Sequence, residues 1–343
     1  MRGMIPLSVL DLAPVAEGSD VGVALNNARD LARHAERLGY RRFWMAEHHS
    51  MPGIASAATA VALCHVAGGT STIRIGAGGI MLPNHSPLQV AEQFGTLEAL
   101  FPGRVDLGLG RAPGTDQAAA HAMRRSMTSD INQFPNDVVE LLEYFQPASP
   151  GQRVVAVPGE GLEVPIWILG SSTYGAQLAA QLGLPYAFAS HFAPQQMMDA
   201  IDLYRRSFRP SAWLDKPYVM LGYNVFAAAS DEEGALLATS LMQAFVALRT
   251  GTPGKLKPPV AGYADRLPFS QRALLDSVLS CSAIGSPETV AAATRAFIAR
   301  TGADELMITA QIFDHEARVR SYELLAQALM HDAATASAQR SSS

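Results

Sequence analysis

Charged residues are scarce in this 343-residue sequence, at 17%, whereas hydrophobic residues make up 48%. The chain therefore has ample material for a large core, and its composition is not that of an extended disordered protein. Lysine and arginine form no long run, and the formal net charge is -5. Because nucleic-acid surfaces depend on clustered cations that neutralise phosphates, this distribution argues against a nucleic-acid partner and favours small molecules.

Cysteines and membrane-length apolar runs are also lacking. Cys64 and Cys281 are too few and too far apart for a disulfide framework or a cysteine-rich metal site, so we expect reduced, buried thiols. No apolar run approaches the roughly 20 residues of a bilayer span. The first residues lead directly into an apolar strand pattern without the core of a signal peptide. We therefore expect a cytoplasmic protein that binds no membrane.

Strand and helix patterns alternate along most of the chain. Short apolar runs typical of buried strands are followed by segments with helical spacing, mostly at intervals of about 30 to 45 residues. The predicted strands cover residues 5–10, 41–46, 73–82, 105–111, 164–169, 186–189, 218–228 and 305–312. No G-x-G-x-x-G follows the first strand. The pattern thus predicts an α/β fold, a (β/α)8 TIM barrel, in preference to a doubly wound sheet.

The predicted barrel is a single domain over residues 1–332, followed by a flexible, small and polar tail at 333–343. An insertion at about 231–281 separates the seventh strand from the last helices. Glycines and prolines punctuate residues 251–280 of this insertion, so we expect an irregular lid without a continuous helix. Its apolar side chains would close over a pocket, and they are Tyr263, Leu267, Phe269 and Leu274.

Several predicted helices begin at residues that favour a helix N-terminus. Ser86 is followed by a proline and, three residues on, by a glutamine, which is a capping-box signature. Ser230 and Ser286 precede acidic first turns, and Ser19 or Asp20 precedes the first helix. We expect side-chain caps at these positions.

The second predicted strand ends in Glu47, His48 and His49. Such groups are rare in the middle of a buried parallel strand, but at its carboxyl end they can face a ligand. They could equally hydrogen-bond loop backbone, and the residues alone leave both interpretations open. Zinc is disfavoured because adjacent strand residues point to opposite faces, so His48 and His49 are poorly placed to share one ion. We predict no metal.

Other strands also end in polar residues or glycines, which a barrel would bring to one mouth. Ser171 and Ser172 open a helix, where hydroxyls and free N–H groups favour phosphate, although serine is also an ordinary helix cap. Arg111 could grip the same phosphate or pair with a surface carboxylate. Gly78 and Gly79 suit either a bulge or a flat ligand against bare backbone.

Three segments, taken together, resemble a known family. Residues 44–49 (WMAEHH), 75–83 (IGAGGIMLP) and 103–111 (GRVDLGLGR) resemble, in order and spacing, the successive signatures of the bacterial-luciferase-like flavin monooxygenases. Residues 179–185 resemble the family's segment after strand five. The similarity covers nearly the whole chain. It implies a (β/α)8 barrel, usually dimeric, that uses reduced FMN and activates dioxygen.

The resemblance also implies roles for individual residues. The catalytic histidine falls on His48, with Glu47 beside it, and the family's non-proline cis peptide falls between Gly78 and Gly79. The phosphate-binding arginine falls on Arg111. The cofactor-binding set that we expect is Gly78, Gly79, Arg111, Ser171, Ser172 and Tyr174. From their positions after strand ends, and not from the resemblance, Asp11, His49 and His191 are expected to reach the substrate pocket.

Two positions depart from the family pattern. Gly110 stands where light-emitting members carry a reactive cysteine, and Ser171 stands where the family has a phosphate-loop glutamate. The sequence therefore predicts an FMN-dependent monooxygenase, without light emission, for a small apolar organic substrate. A separate flavin reductase would supply reduced FMN, and the apolar helix at 57–67 would support a homodimer. The alternatives are a deazaflavin (F420)-dependent oxidoreductase and a flavin-binding protein without turnover.

Overall fold

The computed structural model describes residues 5–111, 122–123 and 133–331. The predicted tail at 333–343 lies outside these residues. Nine strands are found in the described part, all in one parallel sheet. They are β1 (Leu7–Asp11), β2 (Arg42–Met45), β3 (Arg74–Met81), β4 (Val105–Gly110), β5 (Ile166–Gly170), β6 (Tyr186–Phe188), β7 (Val219–Ala227), β8 (Ser282–Gly285) and β9 (Glu305–Thr309).

Eight of these strands close into a barrel. The strands β1 to β6 pair in chain order, β6 pairs with β7, β7 with β9, and β9 returns to β1. These eight are the strands predicted from the sequence, so the predicted (β/α)8 TIM barrel is confirmed. Closure leaves no open edge among these eight strands and directs all eight carboxyl ends to one mouth.

The helices surround this barrel. Those of the described residues are α1 (Val21–Arg37), α2 (Thr59–Ala67), α3 (Pro87–Leu100), α4 (Phe134–Tyr144), α5 (Thr173–Leu182), α6 (Met197–Ser207), α7 (Asp231–Arg249), α8 (Phe269–Val278), α9 (Pro287–Thr301) and α10 (His315–Ala326). None of them is long and apolar enough to cross a bilayer.

Three of the predicted helix caps are formed. Asp20 accepts the Val23 N–H at 2.9 Å, and the Ser230 and Ser286 hydroxyls accept N–H groups of their own first turns. Ser86 lies at the expected cap position, but its hydroxyl makes no capping hydrogen bond. The predicted capping box is therefore wrong there. Pro87 at the first helical position already favours the helix start, so α3 does not depend on the hydroxyl.

The insertion after β7 is more regular than predicted. Helix α8 and strand β8 lie at its end, and β8 pairs only with the later part of β7. No continuous helix crosses 251–280, as expected, but the second half of this segment is not irregular, because α8 covers it from Phe269 to Val278. The physical reason is that every glycine and proline of that segment precedes Phe269, so nothing interrupts the helix that starts there.

The first half of the same segment docks on the loop after β1. Leu256 is buried, its N–H donates to the Val15 carbonyl at 2.9 Å, and its own carbonyl accepts the Glu17 N–H at 2.8 Å. Since loops that follow strands lie at the mouth, these bonds hold the segment beside the mouth. Its role as a lid stays a prediction.

Side chains alternate between two cores along each strand. Phe43 and Met45 of β2 join the large core beneath the helices, whereas Trp44 points into the barrel. There it meets Trp167 edge-on, with ring centroids 5.3 Å apart. The buried inner cluster consists of Leu10, Trp44, Ala46, Trp167, Ala187, Met220 and Met307.

The amino end of the barrel interior is filled by charged groups. Arg42 donates to Asp106 at 2.7 Å and to Glu305 at 2.8 Å, and all three side chains are buried. Trp44 Nε1 also donates to Asp106, at 3.1 Å. Burial lowers the pKa of Arg42, but Asp106 and then Glu305 raise it by more, so the guanidinium stays charged.

Candidate active site

Glycines open the carboxyl end of the barrel interior. A Cβ on Gly78 of β3 would lie 2.8 Å from Leu10 and 3.0 Å from Trp44, so only glycine fits there without a shift of its neighbours. Gly222 of β7 is another inward glycine at this end. The space left is a cavity of about 40 Å³, enough for one or two waters. Its lining is largely apolar and includes Leu10, Trp44, Leu169, His191, Met220 and Met307.

Glu47 lies at this mouth, just beyond β2, and its carboxylate is buried. Oε1 is 2.5 Å from Nε2 of His49 and 2.8 Å from Nε2 of His85. Oε2 accepts the Met81 N–H at 2.9 Å. One carboxylate therefore connects the loop after β2 with the end of β3 and the turn that follows it.

The electrostatics of Glu47 favour the ionised carboxylate. Burial raises the pKa of Glu47, but the hydrogen bond and charge of His85, the hydrogen bond of His49 and the Met81 N–H lower it by more. The net pKa is below the usual value for glutamate. Glu47 is thus an acceptor that fixes neighbouring groups and not a proton donor near neutral pH.

His191 follows β6 and lies against the bare backbone of Gly222. A Cβ on Gly222 would be only 2.0 Å from His191 Nδ1. Burial, and then the charge of His48, lowers the pKa of His191 to about 4. Its Nδ1 is buried and has no hydrogen-bond partner among the described residues. His191 is therefore a neutral imidazole at the cavity, electrostatically coupled to the partly buried His48.

A second group of predicted residues meets where β4 and β5 end. Gly110 pairs with Leu169, so Arg111 and Ser171 follow neighbouring strand ends. The Arg111 guanidinium lies over the Tyr174 ring, 3.9 Å from its centroid. Ser172 is the N-cap of α5, and its hydroxyl makes no capping hydrogen bond. A cation, a hydroxyl and helix N–H groups therefore share one corner of the mouth.

The peptide bond between Gly78 and Gly79 is cis, as the family resemblance implies. The Gly79 side of the bond faces β4, because a Cβ there would lie 2.6 Å from the Gly108 carbonyl. The Glu47 N–H donates to the Gly79 carbonyl at 3.4 Å. The bare backbone of β3 thus lies beside the loop that carries His48.

Known proteins match this chain over most of its length. The family described as luciferase-like monooxygenase matches residues 5–305. The chain belongs to the luciferase-like monooxygenases. A protein of Escherichia coli (strain K12) called luciferase-like monooxygenase is 52% identical over 320 residues, which are 93% of this chain and 96% of that protein.

Solved structures agree with this membership. The apo form of MsnO8 is 34% identical and superposes with a TM-score of 0.83 over 94% of this chain and 98% of its own. The oxygenating constituent of 3,6-diketocamphane monooxygenase from Pseudomonas putida, solved with FMN, is 18% identical with a TM-score of 0.69 over 95% and 98%. At that identity the likeness shows the fold alone. The family membership identifies the protein as a monooxygenase-type oxidoreductase.

One predicted substrate residue of this luciferase-like monooxygenase is already paired. Asp11 is buried, its Oδ1 is 3.2 Å from a guanidinium nitrogen of buried Arg318, and the same oxygen accepts the Ala13 N–H at 3.1 Å. It is not among the residues that line the cavity, whereas His191 is. His49 turns toward Glu47.

Sequence reasoning missed two residues of this luciferase-like site. His85 contacts Glu47 although it is 38 positions away, and Gly222 makes room for His191. A signal for His85 existed, since it follows the third strand within a Pro-Asn-His-Ser-Pro turn, where a barrel presents functional groups. Gly222 lies inside an apolar strand with no local signal of its role.

Proposed function

We propose that the protein is an FMN-dependent monooxygenase that uses reduced FMN and dioxygen on a small apolar organic substrate. The observation that carries the proposal is the corner where Arg111 stacks on Tyr174 beside the N-terminus of α5. The corner lies next to the cavity, because Gly110, which precedes Arg111, pairs with Leu169 of β5, and Leu169 lines the cavity. A ligand with a phosphate at one end and a flat ring at the other suits such a site.

The phosphate of FMN fits the corner chemically. A guanidinium offers paired N–H donors to phosphate oxygens, and a helix N-terminus adds unsatisfied N–H groups and a positive dipole end. Ser171 and Ser172 would contribute hydroxyl donors. Tyr174 would hold the Arg111 guanidinium in orientation through its ring.

The ring of the flavin would lie across the mouth, against Gly78 and Gly79. The two glycines present backbone without side chains, and a Cβ at Gly78 would already be in conflict with Leu10 and Trp44. The cavity of about 40 Å³ is far too small for a tricyclic ring. Its largely apolar lining supports a small apolar substrate group near the ring.

When bound, reduced FMN supplies the two electrons with which dioxygen gives one oxygen atom to the substrate and one to water. His48 would donate or accept a hydrogen bond at the reacting atoms. Glu47 would act as a positioning residue, because its bonds to His49 and His85 fix the loop that carries His48. His191 would line the substrate side as a neutral imidazole.

The proposed partners follow from the same chemistry. A separate flavin reductase would deliver reduced FMN, as the resemblance to the flavin monooxygenases implies. Homodimerisation would cover α2, where Val61 is 72% exposed and apolar residues predominate. Light scattering that gives one chain mass at micromolar concentration would contradict the dimer. A cytoplasmic location remains part of the proposal.

The test of the cofactor site is an Arg111→Ala variant. Loss of a charge-assisted hydrogen bond costs about 1.5 to 3 kcal/mol, so the Kd for FMN should rise roughly ten- to hundredfold. Fluorescence titration measures it. Arg320→Ala, which removes an exposed arginine, is the matched control and should bind FMN like the wild type. An unchanged Kd in Arg111→Ala would remove the phosphate assignment.

The same protein can separate FMN chemistry from its alternatives. Reduced FMN added to the protein with oxygen should produce substrate-dependent oxygen uptake. An F420-dependent oxidoreductase would bind F420 in preference to FMN and consume no oxygen in turnover. A flavin-binding protein without turnover would bind FMN and show oxygen uptake equal to that of reduced FMN alone, with every candidate substrate.

A further inference from the structure

Among the described residues that line the cavity at the carboxyl end of the barrel, one side chain has an unused polar atom. Nδ1 of His191 is buried and has no hydrogen-bond partner in the described ranges. Trp44 also lines the cavity, but its Nε1 already donates to Asp106 at 3.1 Å. The other lining side chains are hydrocarbons or thioethers, such as Leu10, Leu169, Phe188, Met220 and Met307. A side-chain hydrogen bond from this described lining to a bound molecule would therefore come from His191.

Two hydrogen bonds fasten the main chain around His191 to β7. The hydroxyl of Ser190 donates to the Gly222 carbonyl at 2.6 Å, and the side-chain amide of Asn224 donates to the His191 carbonyl at 2.9 Å. Ser190 and Asn224 are both buried. Because the main chain is held at two successive residues, the imidazole is positioned before any ligand arrives, which lowers the entropic cost of binding.

Gly222 makes room for this imidazole inside the barrel. Met220 belongs to the inner cluster and Leu221 to the outer core, so position 222 faces inward. A Cβ at Gly222 would lie 2.0 Å from Nδ1, 2.9 Å from Cε1 and 3.0 Å from Cγ of His191. The Nδ1 edge of the ring therefore occupies interior space that a larger side chain at position 222 would fill.

The chemistry of the cavity is that of a ligand pocket with one orienting group. Burial, and then the charge of His48, lowers the pKa of His191 to about 4, so the ring is neutral and offers one donor and one acceptor nitrogen. Ligand pockets are mostly apolar and carry a few placed polar groups that orient the ligand. A buried nitrogen without a partner is unfavourable, and a ligand that bonds it removes this cost.

We propose that His191 is a specificity-determining residue that hydrogen-bonds one oxygen atom of the substrate. The substrate would be a small molecule with a hydrocarbon body and a single carbonyl or hydroxyl oxygen that enters the cavity. This inference rests on the proposed oxygenase function and narrows its substrate class. Because Gly78 lines the same cavity, a substrate held by His191 would lie beside the backbone proposed to carry the flavin ring.

The experiment compares two pairs of probes that differ at one polar group. Cyclohexanone is paired with methylenecyclohexane, which has a methylene group in place of the carbonyl oxygen, and cyclohexanol is paired with methylcyclohexane. Ligand-observed NMR titration gives a Kd for each probe, with and without oxidised FMN and with no reductant present. In each protein the Kd of the hydrocarbon is divided by the Kd of its oxygen-bearing partner. Comparing this ratio between variants cancels the different hydration of the two probes.

His191→Leu should lower the ratio roughly three- to tenfold for at least one pair, as expected for one lost hydrogen bond. His191→Asn should keep most of the wild-type ratio, because its amide can place a polar atom near the position of Nδ1. Met220→Leu changes an apolar residue of the same lining and is the matched control, in which the ratio should be unchanged. An effect on the cyclohexanone pair would identify the imidazole as donor, since a carbonyl only accepts. An effect confined to the cyclohexanol pair would identify it as acceptor.

Three results would overturn the proposal. The first is an equal ratio in the wild type and His191→Leu, and the second is a wild type that binds neither cyclohexanone nor cyclohexanol. The third is a Kd for FMN that rises in His191→Leu as much as in Arg111→Ala, because the imidazole would then contact the cofactor.

If His191→Leu does not fold, His191→Ala takes its place, since its smaller side chain relieves the contact with Gly222. The titration without FMN requires no turnover. An unchanged Kd for FMN in Arg111→Ala would therefore count against the proposed function, while the probe ratios would still decide the role of His191.

Discussion

The amino and carboxyl ends of the barrel interior differ in how their buried polar groups are bonded. At the amino end, buried Arg42 lies between Asp106 and Glu305 and bonds both. At the carboxyl end, inward glycines leave a cavity, the carboxylate of Glu47 is held by imidazoles, and His191 keeps an unbonded Nδ1 in the described part of the chain. The amino end pairs all three of these charges, whereas the carboxyl end, which also holds the Asp11–Arg318 pair, leaves the Nδ1 of His191 available.

The difference indicates that the amino end stabilises the fold and that the carboxyl end can bind ligands. A buried charge that is fully paired resists change, because removing one partner leaves the other without compensation. A buried imidazole with an unused nitrogen can still bind a ligand. Barrels of this kind carry chemistry at the carboxyl end, and the unbonded Nδ1 of His191 at the mouth agrees with that rule.

The largest expected effect comes from the amino end. Arg42→Met should lower the free energy of unfolding by about 3 kcal/mol, at the low end for a broken buried pair. Asp106 and Glu305 would lose their buried cation, but Asp106 keeps Arg74 at 2.7 Å and Glu305 keeps Arg41 at 3.8 Å. Urea denaturation measures it. The control is Arg320→Met, which removes an exposed pair with Glu323 and should cost less than about 1 kcal/mol. Similar losses in both variants would show that the buried network does not stabilise the fold.

A smaller effect is expected at the carboxyl end. Gly222→Ala places a Cβ where His191 Nδ1 is only 2.0 Å away, and such overpacking should cost about 1 to 3 kcal/mol. Gly254→Ala, which meets nothing within 4 Å, is the control. Adding His191→Ala to Gly222→Ala should recover most of the loss. If Gly222→Ala with His191→Ala is no more stable than Gly222→Ala alone, contact with the His191 ring is not the reason that position 222 must be glycine.

The smallest effect concerns pH. His191 has a pKa of about 4 in the folded protein against about 6.5 when unfolded. As pH falls below about 6.5, His191 becomes protonated in the unfolded chain. In the folded protein it stays neutral until about pH 4. The free energy of unfolding therefore decreases as pH falls between these two values. Between pH 7 and pH 5.5 this amounts to about 1 kcal/mol.

Denaturation of wild type and His191→Gln at both pH values isolates this contribution. The variant should lose about 1 kcal/mol less stability than the wild type over that interval. An identical pH dependence in the two proteins would contradict a buried, neutral His191 at the mouth.

Local patterns in the sequence predicted much of the fold and part of the site. Apolar runs marked all eight barrel strands, and the order of Glu47, His48 and Arg111 after their strands indicated the mouth. Helix α8 was missed because the whole segment 251–280 was expected to be irregular. Its glycines and prolines, which prevent a helix, all precede Phe269. Strand β8 was missed because four residues with one pairing neighbour carry little periodicity.

What the sequence determined by itself is the alternation of strands and helices and the chemical groups that follow each strand, since both depend on neighbouring residues. Only the tertiary structure decided which groups meet. In the folded protein His85 contacts Glu47, Asp11 pairs with Arg318 and does not line the cavity, and His191 packs against Gly222. The physical reason is that these contacts depend on barrel closure and on inward orientation across different strands, which no local spacing records.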